Sequence, residues 1–249
     1  MSFRPALPHG ELRKIFDDVY TVTGTISMKA PVRMNFSRNM TVIASGGSLT
    51  LVGSVRLDEA GLAALDELGK VEHVIRLAAF HGVDDPFYKD RYGAKVWALE
   101  GSSYARGFDA ARPASEGYFQ PDAWLTKTSE LPLSGAKLFV FESAKPREGL
   151  LLLERDGGIV ISGDALQNWH RADAYFNFPA RVVMKLMGFL KPCNVGPGWW
   201  RGAKPDPAEL RRVLDLEFDH VLPCHGEEVI GGAREKYRPA IDRLAPAGD

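Results

Sequence analysis

Three short stretches place metal-binding or proton-moving groups just past the end of an apolar run. In "AAFHGVDDPFY", which follows "VIRLA", these are His81, Asp84 and Asp85; in "GDALQNWH", after "GIVI", it is Asp164; in "CHGEE", after "HVLP", it is His225. Loops at strand ends are where sheet proteins collect binding groups. If the three ends meet, two histidines and three aspartates form a nitrogen and oxygen site for a divalent cation. A cation so held lowers the pKa of a bound water and polarises an ester, amide or phosphoester bond, so the chemistry would be hydrolysis. Each residue also has a structural reading. Asp84 and Asp85 repel each other and need a counter-charge, a metal or water. They would equally cap the helix "DPFYKDRY", with Pro86 in its first turn. Asp164 would cap the segment after "SGDAL", and His225 would be a turn histidine bonded to a carbonyl.

The elements that must position these residues are legible in outline. "VYTVTGTI", "MTVIAS" and "SLTLVGSV" read as strands joined by tight turns, an antiparallel start. In "DEAGLAALDELG", Leu62, Leu65 and Leu68 follow the N-cap candidate Asp58 at helical spacing, and Gly69 ends the helix. "EHVIRLAAF" is a strand, "DPFYKDRYG" a short helix, and "AKVWALEG" and "AKLFVFES" are strands. "GLLLLERDGGIVISGD" is a hairpin turning at Asp-Gly-Gly. "PDPAELRRVLDLEFDHVLPCHG" is a helix with Leu210, Val213 and Leu214 on one face, feeding a strand. The closing helix "GAREKYRPAIDRLA" contains Pro239 and is expected to kink or split there. This alternation places helices over a sheet. Residues 168–204 form an irregular insert with an apolar helix, "FPARVVMKLMGFL", and an aromatic loop, "GPGWWRG". Trp199 and Trp200 are expected to pack on the sheet edge or across a subunit contact, or to line a substrate pocket whose rim carries His170 and Arg171 for an anionic group.

Charge and composition narrow the partners. Lys and Arg number 31 and Asp and Glu 32, a formal net charge of -1, which gives no footprint for a phosphate backbone. No run approaches the roughly 18 apolar residues of a spanning helix, and the N-terminus has no apolar signal core. Neither nucleic acid nor membrane is an expected partner. A cytoplasmic protein of one domain over residues 1–249 is expected, a homodimer being the suggested assembly. Cys193 and Cys224 form no CxxC pair and read as free thiols.

The order of a two-strand opening, a strand ending in a His/Asp-rich loop, a hairpin ending in "GDAL", and a helix and strand ending in "LPCHGEE" resembles the metallo-β-lactamase fold superfamily from Val19 to the closing helix. The resemblance implies a four-layer αββα sandwich with a metal site along one edge. In that family the aspartate of "GDAL" bridges two metals and the histidine of "LPCHG" ligates one, which carries over to Asp164 and His225. The departures are grouped. Against the family's His-x-His-x-Asp-His loop this chain has Phe80, Gly82, Asp84 and Asp85. No histidine occurs in "FESAKPREG", where Glu142 and Lys145 are the nearest polar candidates, and Gly53 replaces an aspartate in "LVGSV". The first metal position has therefore lost its imidazoles. The second retains Asp84, Asp85, Asp164 and His225, with His81 one residue out of register. The resemblance thus implies a metal-dependent hydrolase of a small molecule with a single zinc, manganese or iron ion, and Asp84 as the base if it does not ligate. The alternative is a non-catalytic member that has lost its metal and binds a small ligand or a protein partner.

Overall fold

The computed structural model describes residue 3 and residues 5–29, 32–102 and 120–246. One sheet holds β1 (Arg13–Phe16), β2 (Val19–Lys29), β3 (Arg33–Ser45), β4 (Ser48–Val52), β5 (Lys70–Arg76), β6 (Lys95–Leu99) and β7 (Ala123–Leu125) in sequence order. Its first three pairings are antiparallel, and those from β4 to β7 are parallel. The expected antiparallel start is present, with β2 and β3 paired residue for residue from Val19 opposite Ile43 to Lys29 opposite Arg33. A second sheet has the order β13 (His220–Pro223), β10 (Ile159–Ser162), β9 (Glu148–Leu153), β8 (Ala136–Phe141). The β9–β10 hairpin turns where expected, at Asp156, Gly157 and Gly158, all with positive φ. A small ribbon pairs β11 (Leu166–Gln167) with β12 (Asn194–Val195).

The two-residue period of the strands separates the layers. Leu151, Leu153, Ile159 and Ile161 point between the sheets and meet Val19, Ile43, Ile75 and Leu99 of the first sheet. Their neighbours Leu150, Leu152 and Val160 point the other way, toward a helical layer. That layer is built from α4 (Pro197–Ala203), α5 (Pro207–Arg211) and α6 (Ala233–Leu244), through Trp199, Leu210, Tyr237 and Ile241. On the outer face of the first sheet lie α1 (Glu59–Leu68) and α2 (Asp85–Tyr92), through Leu62, Leu65, Phe87 and Tyr88. The result is helix, sheet, sheet, helix: an αββα sandwich. β5 contributes Val71 and Val74 to the same outer face, although they are three residues apart. A bulge against β4 at this point supplies the extra residue that such spacing requires.

Local signals hold at most boundaries. Asp58 caps α1, accepting from the Gly61 N–H at 2.9 Å, and Gly93 closes α2 in the left-handed region. Three expectations are corrected. Pro239 does not split the closing helix, since α6 runs through it. The helix at "PDPAELRR" is five α-helical residues continued by a 3-10 turn over Arg212–Asp215. "GPGWWRG" is not a loop but α4, with Pro197 supplying a pre-set φ in its first turn. The apolar helix of the insert is α3 (Phe178–Leu186), capped by Asn177, whose side chain accepts from the Ala180 N–H. Among the described residues no helix is long and apolar enough to cross a membrane.

Leu151 is fully buried between the sheets. Leu151→Ala should lower unfolding free energy by about 2–5 kcal/mol in urea denaturation, the cost of lost burial plus the cavity left behind. A loss below about 1 kcal/mol would show that the sheets do not pack tightly there.

Candidate metal centre

The three polar loops meet at one edge of the sandwich, but by two routes. β10 and β13 are parallel neighbours with Ser162 opposite Pro223, so Asp164 and His225 leave the sheet side by side. β5 belongs to the other sheet. The chain past its end is drawn across by the Gly149 N–H, which donates to the Leu77 carbonyl at 2.9 Å, and a turn at Ala78 then presents His81. Glycine permits the close approaches. A side chain on Gly226 would strike the backbone of Asn168, and one on Gly196 the Asp164 carbonyl, so the β11–β12 ribbon lies directly against the Asp164 turn.

His81, Asp164 and His225 form the cluster. His81 Nε2 lies 3.4 Å from Asp164 Oδ2 and His225 Nε2 3.2 Å from Asp164 Oδ1. One ligand atom from each of the three lies within 4.8 Å of the others. Both imidazoles are buried, and Asp164 keeps 15% of its side-chain surface. The other ring nitrogen of His225, Nδ1, is 3.0 Å from the Ser37 carbonyl. A carbonyl only accepts, so Nδ1 carries a proton and donates it there, which leaves Nε2 as the nitrogen that faces Asp164. Trp169 braces the ring at 4.8 Å between centroids and donates its indole N–H to Ser37 Oγ at 2.9 Å. Burial disfavours an ionised Asp164. The charge of His81 and hydrogen bonds from both histidines outweigh it and hold the carboxyl well below the usual carboxylate range. Two imidazole nitrogens and an ionised carboxylate oxygen, with one histidine fixed by its second nitrogen, suit a divalent cation of the zinc type.

Asp84 and Asp85 are not brought to this cluster. The buried Arg38 guanidinium pairs with Asp84 Oδ2, which also accepts from the Arg56 N–H at 2.8 Å. Asp85 Oδ1 accepts from Ser54 Oγ at 2.5 Å. Asp84 occupies the N-cap position of α2, yet its side chain makes no capping bond. Asp84 thus meets the counter-charge expected for the pair, in the buried Arg38, rather than the expected helix cap or metal, and Asp85 bonds a serine of the adjoining loop. In "FESAKPREG", Glu142 is exposed and pairs with Lys127 at 3.1 Å, and the Lys145 N–H donates to the Ala203 carbonyl. The acid this stretch brings to the centre is Glu148. Burial, and then the charge of Asp164, push Glu148 well above the usual carboxylate range, against hydrogen bonds from the Ala165 N–H at 2.5 Å and the Asp164 N–H.

The proposed pocket residues divide. His170 and Arg171 are exposed in the turn after Trp169. Trp199 is buried against Phe141, 4.7 Å between ring centroids, and Trp200 packs on the same helical-layer core. Sequence reasoning missed Ser37, Arg38, Asn39, Glu148 and Trp169. Asn39 Nδ2 donates to the Pro223 and Gly226 carbonyls at 2.8 and 2.6 Å, clasping the His225 turn to β3. The polar triplet "SRN" interrupting the apolar strand "MNFSRNMTVIA" was the available signal.

No protein-family profile matches the sequence, and no curated protein matches it. Solved structures do match. The mono-zinc form of a metallo-β-lactamase from Pseudomonas aeruginosa covers 97% of this chain and 98% of its own length at 14% identity, with a TM-score of 0.59. The metallo-β-lactamase of Hirschia baltica covers 96% and 99% at 14% identity and a TM-score of 0.61, and that of Erythrobacter litoralis 96% and 96% at 14% and 0.57. The chain has the metallo-β-lactamase fold, and the edge of the sandwich holds a candidate His, Asp, His metal centre.

Two measurements check this description. Arg38→Met strands a largely buried Asp84 and should cost about 3 kcal/mol in urea denaturation, with part recovered by adding Asp84→Asn. An unchanged midpoint would remove the ion pair from the argument. Glu148→Gln keeps an acceptor for the same N–H groups. A carboxyl raised in the folded state stabilises fully below its unfolded pKa of about 4.3 and less as pH rises toward the folded value. In chelator-treated protein the Tm of Glu148→Gln relative to the parent should therefore climb as pH rises above about 4.3. A difference independent of pH contradicts the assignment.

Proposed function

We propose that this chain is a metal-dependent hydrolase of a small molecule, holding one divalent cation on His81, Asp164 and His225. The observation that carries the reading is the fixed His225: its Nδ1–H is committed to Ser37, so Nε2 faces Asp164 within reach of His81. When bound, the cation supplies an activated water and polarises the scissile bond. The protein's own contribution is positional. Asp164 offers an ionised oxygen, and Trp169 and Phe36 pack against the His225 ring. Zinc is favoured by two imidazoles and one carboxylate, manganese and iron(II) being the harder alternatives. A single ion is favoured because Asp84 and Asp85 are engaged elsewhere. A mono-zinc form among the structures sharing the fold agrees with this. Asp84 is not retained as the base, since its Oδ2 is tied to Arg38 and to the Arg56 N–H. Free Cys193 and Cys224 fit a reducing cytoplasm, and matches spanning 97% of the chain fit one domain.

One observation favours the ligand-binding alternative. Asp164 already lies between two imidazoles, so the trio can persist without a cation. Elemental analysis and calorimetric titration of chelator-free protein separate the two. About one equivalent of zinc per chain is expected. His225→Ala and Asp164→Ala should each weaken affinity at least about tenfold and abolish turnover across a panel of chromogenic esters. No uptake of zinc, manganese or iron(II) would leave the binding role, and two equivalents per chain would refute the single-ion site.

A further inference from the structure

Helix α3 is apolar on two opposite faces. Ala180 and Met184 point inward and pack with Ile26, Phe36, Trp169 and Phe176. Phe178, Val182 and Leu186 recur every four residues and so form one ridge on the other side, 77%, 41% and 83% exposed. Exposed Arg181 and Lys185 form the adjoining row on the same helix. The end of the β2–β3 hairpin adjoins the start of α3: the Asn35 N–H donates to Asn177 Oδ1 at 3.2 Å, and Asn177 Nδ2 donates to the Arg33 carbonyl at 2.9 Å. This brings exposed Val32 and Arg33 to the same end. At the other end Arg201 donates to the carbonyl of Met187, itself 44% exposed. Residues 168–204 carry six Lys or Arg against a single carboxylate, Asp173, in a chain whose net charge is -1.

We propose that this face docks on an anionic phospholipid surface, with α3 lying in the plane of the interface. Phe178, Val182 and Leu186 enter the boundary of the acyl chains, and Arg33, Arg181, Lys185 and Arg201 meet the headgroup phosphates. Charge decides between occupants of the ridge. A second copy seated about a two-fold axis sets the same cationic collar against itself, which is repulsive, whereas an anionic bilayer complements both the ridge and the collar. A surface-lying helix differs from a spanning one, so the inference revises the expectation of no membrane partner without requiring a long apolar segment. It stands independently of the hydrolase reading. It also sets the candidate centre beside the lipid, because Trp169 packs in the core under α3 and against His225.

Vesicle flotation of the full chain tests the proposal. Vesicles of phosphatidylcholine with phosphatidylglycerol should carry the protein at about 50 mM salt, and about 500 mM salt should reduce the bound fraction several-fold. Phosphatidylcholine vesicles alone should carry little. Phe178→Ser with Leu186→Ser, and separately Arg33→Glu with Lys185→Glu, should each abolish flotation while leaving thermal melting unchanged, since these side chains are exposed. No flotation with anionic vesicles overturns the proposal, as does equal binding to neutral ones. A dimer in light scattering that Leu186→Ser converts to monomer also overturns it, by assigning the ridge to a second copy.

Discussion

A carboxylate set between two imidazoles at the edge of two facing sheets is the constraint on which the rest of the site depends. Asp164 stays ionised against the cost of burial because His81 and His225 flank it. Those histidines come from different sheets, so the electrostatics of one residue require the sandwich to close. The closure is enforced by backbone bonds that cross between the layers, Gly149 to Leu77 and Asn39 to Cys224. Glycine at 196 and 226 allows neighbouring backbone to approach the two turns. A packed apolar interior supplies the stability on which this polar edge draws.

Around the trio the charges are matched group by group. Arg38 is buried in β3 and would be costly alone, and Asp84 answers it. Glu148 lies beneath the Asp164 turn, where a second anion would destabilise the first, and burial together with the Asp164 charge pushes its carboxyl well above the usual range. Asp84 stands at the start of α2, while the other outer helices act by burying the sheets that position these groups.

The fold was legible because unbroken apolar runs such as Leu150–Leu153 and a capped helix such as that behind Asp58 are local signals. Asp164 and His225 were legible through motif and order, and His81 only as a residue out of register. The structure brings His81 in because the loop after β5 turns at Ala78, a shift that residue spacing does not encode. The partners of Asp84 and Asp85 were not legible: Arg38 lies 46 residues from Asp84 and Ser54 31 from Asp85, and pairing across a sheet leaves no trace in a single sequence. Trp199 was read as a loop aromatic, yet its fate depends on Phe141, in a strand of the second sheet.

The thiol beside His225 has a consequence of its own. Cys224 is buried, its sulfur crowds Gly53 so closely that a methyl there would stand 2.8 Å away, and burial with the nearby Asp164 and Glu148 charges pushes its ionisation far up. A buried thiol whose ionisation is pushed so far up is slow to take the first step of the oxidation ladder. Peroxide therefore meets a poor nucleophile in the residue adjoining the histidine that faces Asp164, although a cysteine sits next to it in the chain.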